Sequence, residues 1–330
     1  MTKEYVGRRM TRTEDPRLLT GQALFVDDVQ IPGMLHAAFL RSDYAHARLL
    51  SIDVSQALER PGVVAVYTAE LMGDEWQPGP ANVSPPPTVE DITFHSRTQV
   101  PLAKGKVRHV GEAIAVVIAE NRYIAEDAVD QIWVEYEPLT AVTTLEQAIQ
   151  LDAPQIHEDL AIVPDLGGNV NAHVVQVKGD GSRFNSIAKN AAHVVKRRFY
   201  YDHGTAAAME NRGIVADWDH RAGRMTIWDT TQAPVFVRNG MAAFLGLSEN
   251  QVRVIAPFIG GGFGPKIMMF YPAEMLVPWV SMQLGRPIKW IEDRSENFVA
   301  TTQERDQIHW AEMAVDADGR ILAIRDKFLH

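Results

Sequence analysis

Residues 112–137 leave this chain few ways to fold. Glu112 to Ala119 (EAIAVVIA) is apolar at every position after the first and reads as a strand. Asn121 then stands where a helix N-cap belongs, the helix runs through Asp130, and Ile132 to Glu137 (IWVEYE) alternates as a second strand. A strand, a helix and a strand in direct succession call for mixed α and β architecture, because a helix of this kind needs a sheet face to cover.

The same alternation continues along the chain. Val54 to Arg60 reads as a helix ending at Pro61-Gly62, and Gly62 to Tyr67 as a strand. Later come strands at Ala192 to Tyr201, Met225 to Thr231, Gln251 to Ala256 and Pro287 to Glu292. Helices are expected at Ala233 to Leu245, with Gly246 beyond its end, and around Pro272 to Leu284, closed by Gly285. Residues 77–100, with Gln77-Pro78-Gly79-Pro80 and Pro85-Pro86-Pro87, read as a surface loop. A second weakly patterned stretch, Asp152 to Asn169, holds Pro154, Pro164 and Gly167-Gly168, and places a domain boundary that divides residues 1–150 from 151–330. Asp306 to Val315 and Arg320 to Leu329 form a hairpin about the turn Asp316-Ala317-Asp318-Gly319. The apolar pattern is still running at Phe328-Leu329-His330, so the fold is expected to continue in a longer parent chain or a partner subunit.

Composition narrows the function. The net charge of -10 argues against a protein that tracks nucleic-acid phosphates. With no cysteine, the chain can hold neither a disulfide nor an iron–sulfur cluster and offers no thiolate. No run of about 18 apolar residues occurs. Met1 to Tyr5 carries no apolar signal core, which makes a cytoplasmic location the expectation.

The strongest chemical signal is Ile259-Gly260-Gly261-Gly262-Phe263-Gly264-Pro265-Lys266, between a strand and a helix. Glycines let backbone approach a ligand closely and aim several N–H groups at an anion. The spacing matches neither the dinucleotide fingerprint nor the P-loop, which lowers NAD and ATP as ligands. A plain tight turn explains the glycines equally well. Thr230-Thr231-Gln232-Ala233-Pro234 lies at another strand-to-helix junction, where α/β folds place ligands, and a glutamine amide can donate to an oxo group without titrating. A simple helix cap is the alternative there. His203 with Glu210 could suggest a metal pair, but His-and-carboxylate clusters without a third ligand at metal spacing are seldom metal sites, and a structural role is favoured. Asp27-Asp28, Glu126-Asp127 and Glu292-Asp293-Arg294 read as solvated faces or helix caps.

TTQAP followed about thirty residues on by GGGFGPK resembles the large subunits of the molybdenum hydroxylase family, which includes xanthine dehydrogenase, aldehyde oxidase and aerobic carbon monoxide dehydrogenase. Gly7-Arg8, Arg12 to Gly21 (RTEDPRLLTG), Phe25 to Asp28, Arg41 to Ala47 (RSDYAHA) and Val110-Gly111-Glu112 resemble that family's opening domain, so the likeness spans almost the whole chain. It implies an α+β (mixed α/β) fold, with an α/β hammerhead domain over 1–150 and the first, incomplete part of a molybdopterin-binding domain over 151–330.

By resemblance, Gln232 donates to an oxo ligand of molybdenum, the backbone of Gly261, Gly262, Phe263 and Gly264 lines the metal and pterin phosphates, and Phe263 forms part of the active-site wall. No residue here is expected to ligate the metal directly. The resemblance further implies a molybdenum–molybdopterin cofactor in its cytosine dinucleotide form, with iron–sulfur and FAD groups on partner subunits.

Two departures matter. Pro265-Lys266-Ile267 replaces a Gly-Lys-Glu found in some members, whose glutamate contacts purines, so a purine substrate is disfavoured; PKIMMFYPAE is closer to the carbon monoxide dehydrogenase-like branch. The family's catalytic glutamate base lies in a later segment, outside these residues, so the chain alone should not turn over. The expectation is therefore a hydroxylase subunit acting on a small aldehyde, N-heterocycle or carbon monoxide, with water as oxygen donor. The alternative is a non-catalytic split subunit or assembly module that a C-terminal molybdopterin-domain chain completes.

Overall fold

The computed structural model describes residues 5–80, 92–95, 99–160, 166–267 and 270–330. Among these, the first half carries α1 (Asp15–Leu19), β1 (Leu35–Arg41), β2 (Ala47–Asp53), α2 (Ser55–Glu59), β3 (Val63–Thr68), α3 (Ala69–Met72), β4 (Ile92–Phe94), β5 (Lys106–Val107), β6 (Ala113–Ala119), α4 (Arg122–Val129), β7 (Trp133–Pro138) and α5 (Leu145–Ala148). The second half carries β8 (Ala172–Val174), α6 (Phe184–Asn190), β9 (His193–Gly204), β10 (Gly213–Asp219), β11 (Arg224–Asp229), α7 (Pro234–Phe244), β12 (Val252–Ile255), α8 (Pro272–Leu284), β13 (Ile288–Ile291), α9 (Arg294–Ala300), β14 (Glu304–Val315) and β15 (Ile321–Leu329).

All seven residues of β6 are buried. The strand lies inside a seven-stranded mixed sheet of order β12-β11-β10-β13-β1-β6-β3. Asn121 caps α4 as its position implies, its side-chain oxygen accepting from the Ile124 N–H at 3.0 Å, a contact worth about 1 kcal/mol. Ala125 and Ala128 of α4 then press on Ala38, Val117 and Ala119.

The third member of the strand-helix-strand block goes elsewhere. Strand β7 pairs with β2 in a separate sheet of order β5-β2-β7, and its Val134 and Tyr136 pack toward Ile114 of β6. Alternating burial suits a strand lying across another sheet better than one inserted within it.

The large sheet joins strands from both sides of residue 150. β1 lies parallel to β13, Leu35 opposite Ile288, and the Leu35 N–H donates to the Pro287 carbonyl at 2.8 Å. On the face away from α4, α7 and α8 bring Met241, Met275, Leu276 and Val280 against Ile214, Met225, Ile227 and Trp290. Helix α8 ends on Gly285 at φ +61°, the left-handed stop its sequence predicts.

Elsewhere the expectations divide. Within residues 77–100, β4 pairs with β8, a ladder no periodicity announced; Pro85-Pro86-Pro87 lies outside the described residues. The described part of 152–169 holds neither helix nor ladder strand, and Pro164 lies outside it. The hairpin forms with its turn at Asp316–Gly319, the Gly319 N–H donating to the Asp316 carbonyl at 3.2 Å. With β9 it makes a third sheet, β15-β14-β9, in which β9 is exposed from His193 to His203.

Candidate functional site

β11 and β12 are adjacent and parallel, Trp228 beside Ile255 at their C-terminal ends. The chain leaving β11 enters α7 at Pro234, and the chain leaving β12 enters α8 at Pro272; each proline opens its helix. Two connections starting from the same end of neighbouring parallel strands must meet over that sheet edge, where crevices form in α/β sheets. The first carries Gln232 and the second the glycine-rich turn.

They interlock. The Gly264 N–H donates to the Gln232 side-chain oxygen at 3.1 Å, and the Gln232 N–H donates to the Lys266 carbonyl at 2.8 Å. The Thr231 hydroxyl donates to the same carbonyl at 3.2 Å. A Cβ on Gly262 would overlap the Gln232 carboxamide, so only glycine lets the two segments close to this distance. Phe263 rides the crest of the turn at φ +55°, a left-handed conformation that costs an ordinary residue about 1–3 kcal/mol. Its ring stands 68% exposed.

Gln232, Gly261, Gly262, Phe263 and Gly264 thus fall in one place. The orientation of the Gln232 amide follows from its bond to Gly264: with the oxygen accepting, the NH2 group is left to donate. The amides of Gly261, Gly262 and Phe263 have no hydrogen-bond partner among the described residues. The turn therefore presents several donors together with an uncharged amide, a surface suited to oxo and phosphate oxygens. Among the described residues no cluster of three or more His, Asp or Glu is placed to hold a bare metal ion.

Beneath the turn lies a charged floor that the sequence reading misses. Glu292, expected on a solvated face or at a cap, is fully buried at the end of β13, where it pairs with Arg212. The Arg212 Nε donates to it at 3.0 Å, and its second oxygen accepts from the Asn297 amide at 2.7 Å. Burial alone would raise the Glu292 carboxyl; the Arg212 guanidinium and these bonds hold it below its ordinary value. Its neighbour Asp293 does cap α9, accepting from the Glu296 N–H at 2.6 Å.

The Arg212 guanidinium also lies 3.8 Å from the centre of the Tyr271 ring, and the Tyr271 hydroxyl donates to the Pro265 carbonyl at 2.8 Å. Asp229, the last residue of β11, is buried with one carboxyl oxygen unpartnered. Burial pushes it up to about 7 against the pull of Lys266 and Arg212.

Glu210 proves to belong to the turn. Its carboxylate accepts from the Gly260 N–H at 2.7 Å and from the Lys266 ammonium at 3.3 Å. His203 does not join it. It sits on exposed β9, opposite Arg305, while the segment from it to Glu210 runs on into the buried strand β10, the core-entering strand that the resemblance implies beside it. One signal was available in the sequence: Glu210-Asn211-Arg212 leads directly into the apolar run of β10, and charges flanking a buried strand must be paired or solvated.

A sheet edge crowned by a donor-lined glycine turn marks a mixed α/β protein with a crevice suited to an anionic ligand. The model of the aldehyde oxidase and xanthine dehydrogenase a/b hammerhead domain matches residues 20–140, and that of the molybdopterin cofactor-binding domain matches residues 163–330. The chain belongs to the molybdenum hydroxylase family. It is similar to the nicotine 6-hydroxylase large subunit of Paenarthrobacter nicotinovorans, 38% identical over 325 residues, covering 98% of this chain and 38% of that protein. The crystal structure of quinoline 2-oxidoreductase from Pseudomonas putida 86 matches at 37% identity and a TM-score of 0.81, over 99% of this chain and 39% of that one. A carbon monoxide-reduced Cu,Mo-CO dehydrogenase matches at 36% identity and a TM-score of 0.85, over 98% of this chain and 40% of that one. These residues therefore span about two fifths of the length of such relatives.

Proposed function

We propose that this chain forms the opening part of the molybdopterin-binding subunit of a hydroxylase that oxidises a small carbon centre with water as oxygen donor. Residues 1–150 would serve as the hammerhead part and 151–330 as the start of the cofactor-binding part. The observation that carries the reading is the Gly264-to-Gln232 bond, which leaves the Gln232 NH2 to donate beside turn amides that have no partner among the described residues. Gln232 would donate to an oxo ligand of the metal, the Gly261, Gly262 and Gly264 backbone would line the pterin phosphates, and Phe263 would wall the substrate side. When bound, the molybdenum cofactor supplies the two-electron oxidation chemistry. The residues described here hold and orient it.

The likeness to a nicotine 6-hydroxylase, a quinoline 2-oxidoreductase and a carbon monoxide dehydrogenase supports an N-heterocycle or carbon monoxide rather than a purine as substrate, in keeping with Pro265-Lys266-Ile267 after the turn. The cytosine dinucleotide form of the cofactor, iron–sulfur and FAD partner subunits, and a cytoplasmic location complete the proposal. Among the described residues no helix is long and apolar enough to cross a membrane. The test is to purify the native complex and assay metal and pterin. Stoichiometric molybdenum with a dinucleotide pterin is expected, and a complex containing neither ends the proposal.

A second reading is a split subunit that a partner chain completes, in which the partner would cover Phe199, Ile324 and Phe328 on the β15-β14-β9 sheet. Intact-mass measurement of the native molybdopterin-binding polypeptide decides between the two. A single chain as long as the relatives excludes the split.

A further inference from the structure

Lys266 is buried behind the turn, its side chain 3% exposed, and nothing proposed above uses its charge. Burying an ammonium is costly unless it is paired and hydrogen-bonded. Here both requirements are met by one residue: the ammonium donates to the Glu210 carbonyl at 2.9 Å and to the Glu210 carboxylate at 3.3 Å. Glu210 in turn grips Gly260 twice, its N–H donating to the Gly260 carbonyl at 3.1 Å and its carboxylate accepting from the Gly260 N–H at 2.7 Å. At its other end Lys266 offers its carbonyl to Gln232 and Thr231.

These bonds close a ring. It runs from Gly260 through Glu210 to the Lys266 side chain, along the Lys266 backbone to Gln232, and through the Gln232 carboxamide to Gly264. Phe263 lies inside that span in a left-handed conformation, and Ala207, three residues before Glu210, is left-handed as well at φ +41°. Strained backbone of this kind persists only where its surroundings over-determine it. The ring supplies that constraint from both ends of the turn.

We propose that Lys266 is a positioning residue: through Glu210 it fixes Gly260, through its own carbonyl it fixes Gln232, and so it holds the turn's amides and the Gln232 carboxamide as one donor surface toward the cofactor. This rests on the cofactor reading above for its purpose. The ring itself is a property of these residues and can be tested without that reading.

The experiment uses the full assembled enzyme with Lys266→Met and Glu210→Gln. Hydrogen exchange over residues 258–267 is the first readout, because the Gly260 and Gly264 amides are both bonded within the ring. Lys266→Met is expected to speed exchange of the Gly260 amide tenfold or more. Glu210→Gln, whose carboxamide oxygen can still accept from Gly260 and Lys266, should show a smaller increase and partial retention of function.

The second readout is turnover per bound molybdenum. Lys266→Met should lower kcat per bound molybdenum tenfold or more with KM within twofold of wild type, whereas loss of folded, loaded protein alone would leave kcat per molybdenum unchanged. Unchanged exchange in Lys266→Met overturns the proposal, as does a normal kcat per molybdenum. If Lys266→Met fails to accumulate as folded protein, exchange in Glu210→Gln decides, and wild-type rates there also overturn it. Absence of molybdenum from the wild-type complex would sink the functional reading alone, leaving the exchange result to judge the ring.

Discussion

The seven-stranded sheet and the β15-β14-β9 sheet obey the same pairing rules and reach opposite ends of the burial scale. In the first, β6 is buried at every residue, with helices covering both faces. In the second, β9 is exposed from His193 to His203, although it pairs with β14 along eleven registered positions. Hydrogen-bonded pairing is therefore not what separates them. Net stability comes mainly from apolar area removed from water, at roughly 25 cal/mol per Å²; the first sheet is covered on both faces within these residues, whereas the second is covered only in part, by α6 on β14 and β15. The glycine-rich turn stands on the edge of the well-covered sheet, so the strands that anchor it are held by the main core.

The sharpest way to break that contrast is to remove the charge pair under the turn. Arg212→Met would leave Glu292 buried and uncompensated, and losing one partner of a buried pair costs about 3–5 kcal/mol. Thermal unfolding should show a large fall in Tm. An exposed pair such as Arg48 with Glu137, broken by Arg48→Met, should cost no more than about 1 kcal/mol, and equal effects from the two variants would deny that burial is the distinction.

Asp229 sharpens the contrast through pH. Its folded carboxyl titrates near 7 instead of at its ordinary value of 3.8. Between those values the folded chain keeps a proton that the unfolded chain has released, so stability falls as pH rises through this window and levels off above it. The loss is on the order of a few kcal/mol, since each unit is about 1.4 kcal/mol. Asp229→Asn should flatten the slope and raise Tm relative to wild type at pH 8, as Tm measured from pH 4 to 8 would show. Parallel wild-type and variant curves would remove Asp229 from the account.

Gly262→Ala tests the turn itself at smaller cost. The added methyl must displace the Gln232 carboxamide, and crowding of this kind costs about 1–3 kcal/mol. Exchange of the Gly264 amide should quicken while β6 amides stay protected. Protection retained at Gly264 would mean that Gln232 has room to move without releasing its bond.

Much of this was legible in the sequence because it depends on local rules. The Asn121 cap, the Gly285 stop, the hairpin at Asp316–Gly319 and the apolar run of β6 each follow from backbone geometry or solvent avoidance over a few residues. The five residues of the turn and of Gln232 were legible as a candidate because glycines between a strand and a helix have few uses. What stayed hidden depends on partners far away in the chain. β1 and β10 help to form the middle of the large sheet, yet LHAAFLR and GIVADWD become recognisable only beside β6, β13 and β11. Glu292 looks like a surface residue until Arg212, eighty positions earlier, is set against it. Lys266 looks like the polar end of a turn until Glu210 is found beneath it. The separation of β7 from β6 escaped for the same reason, since a strand's own sequence names a partner sheet only weakly.

The smallest effect bears most directly on the exposed sheet. Register places Phe199, His309 and Phe328 in one row across its three strands, with the His309 and Phe328 rings stacked at 5.1 Å. Val195, Met313 and Ile324 form a parallel row on the same face. Phe199 is 52% exposed, so Phe199→Ser removes little buried area and should change stability by about 0.5 kcal/mol or less. It should nevertheless lower the fluorescence of an apolar-surface dye bound to residues 1–330, because an exposed apolar row is what such a dye occupies. In the native assembly the same substitution should cost far more than 0.5 kcal/mol, as a buried aromatic does when truncated, at roughly 3–5 kcal/mol. A substitution silent in both settings would show that this face stays open to water, and the contrast between the two sheets would then concern fold architecture alone.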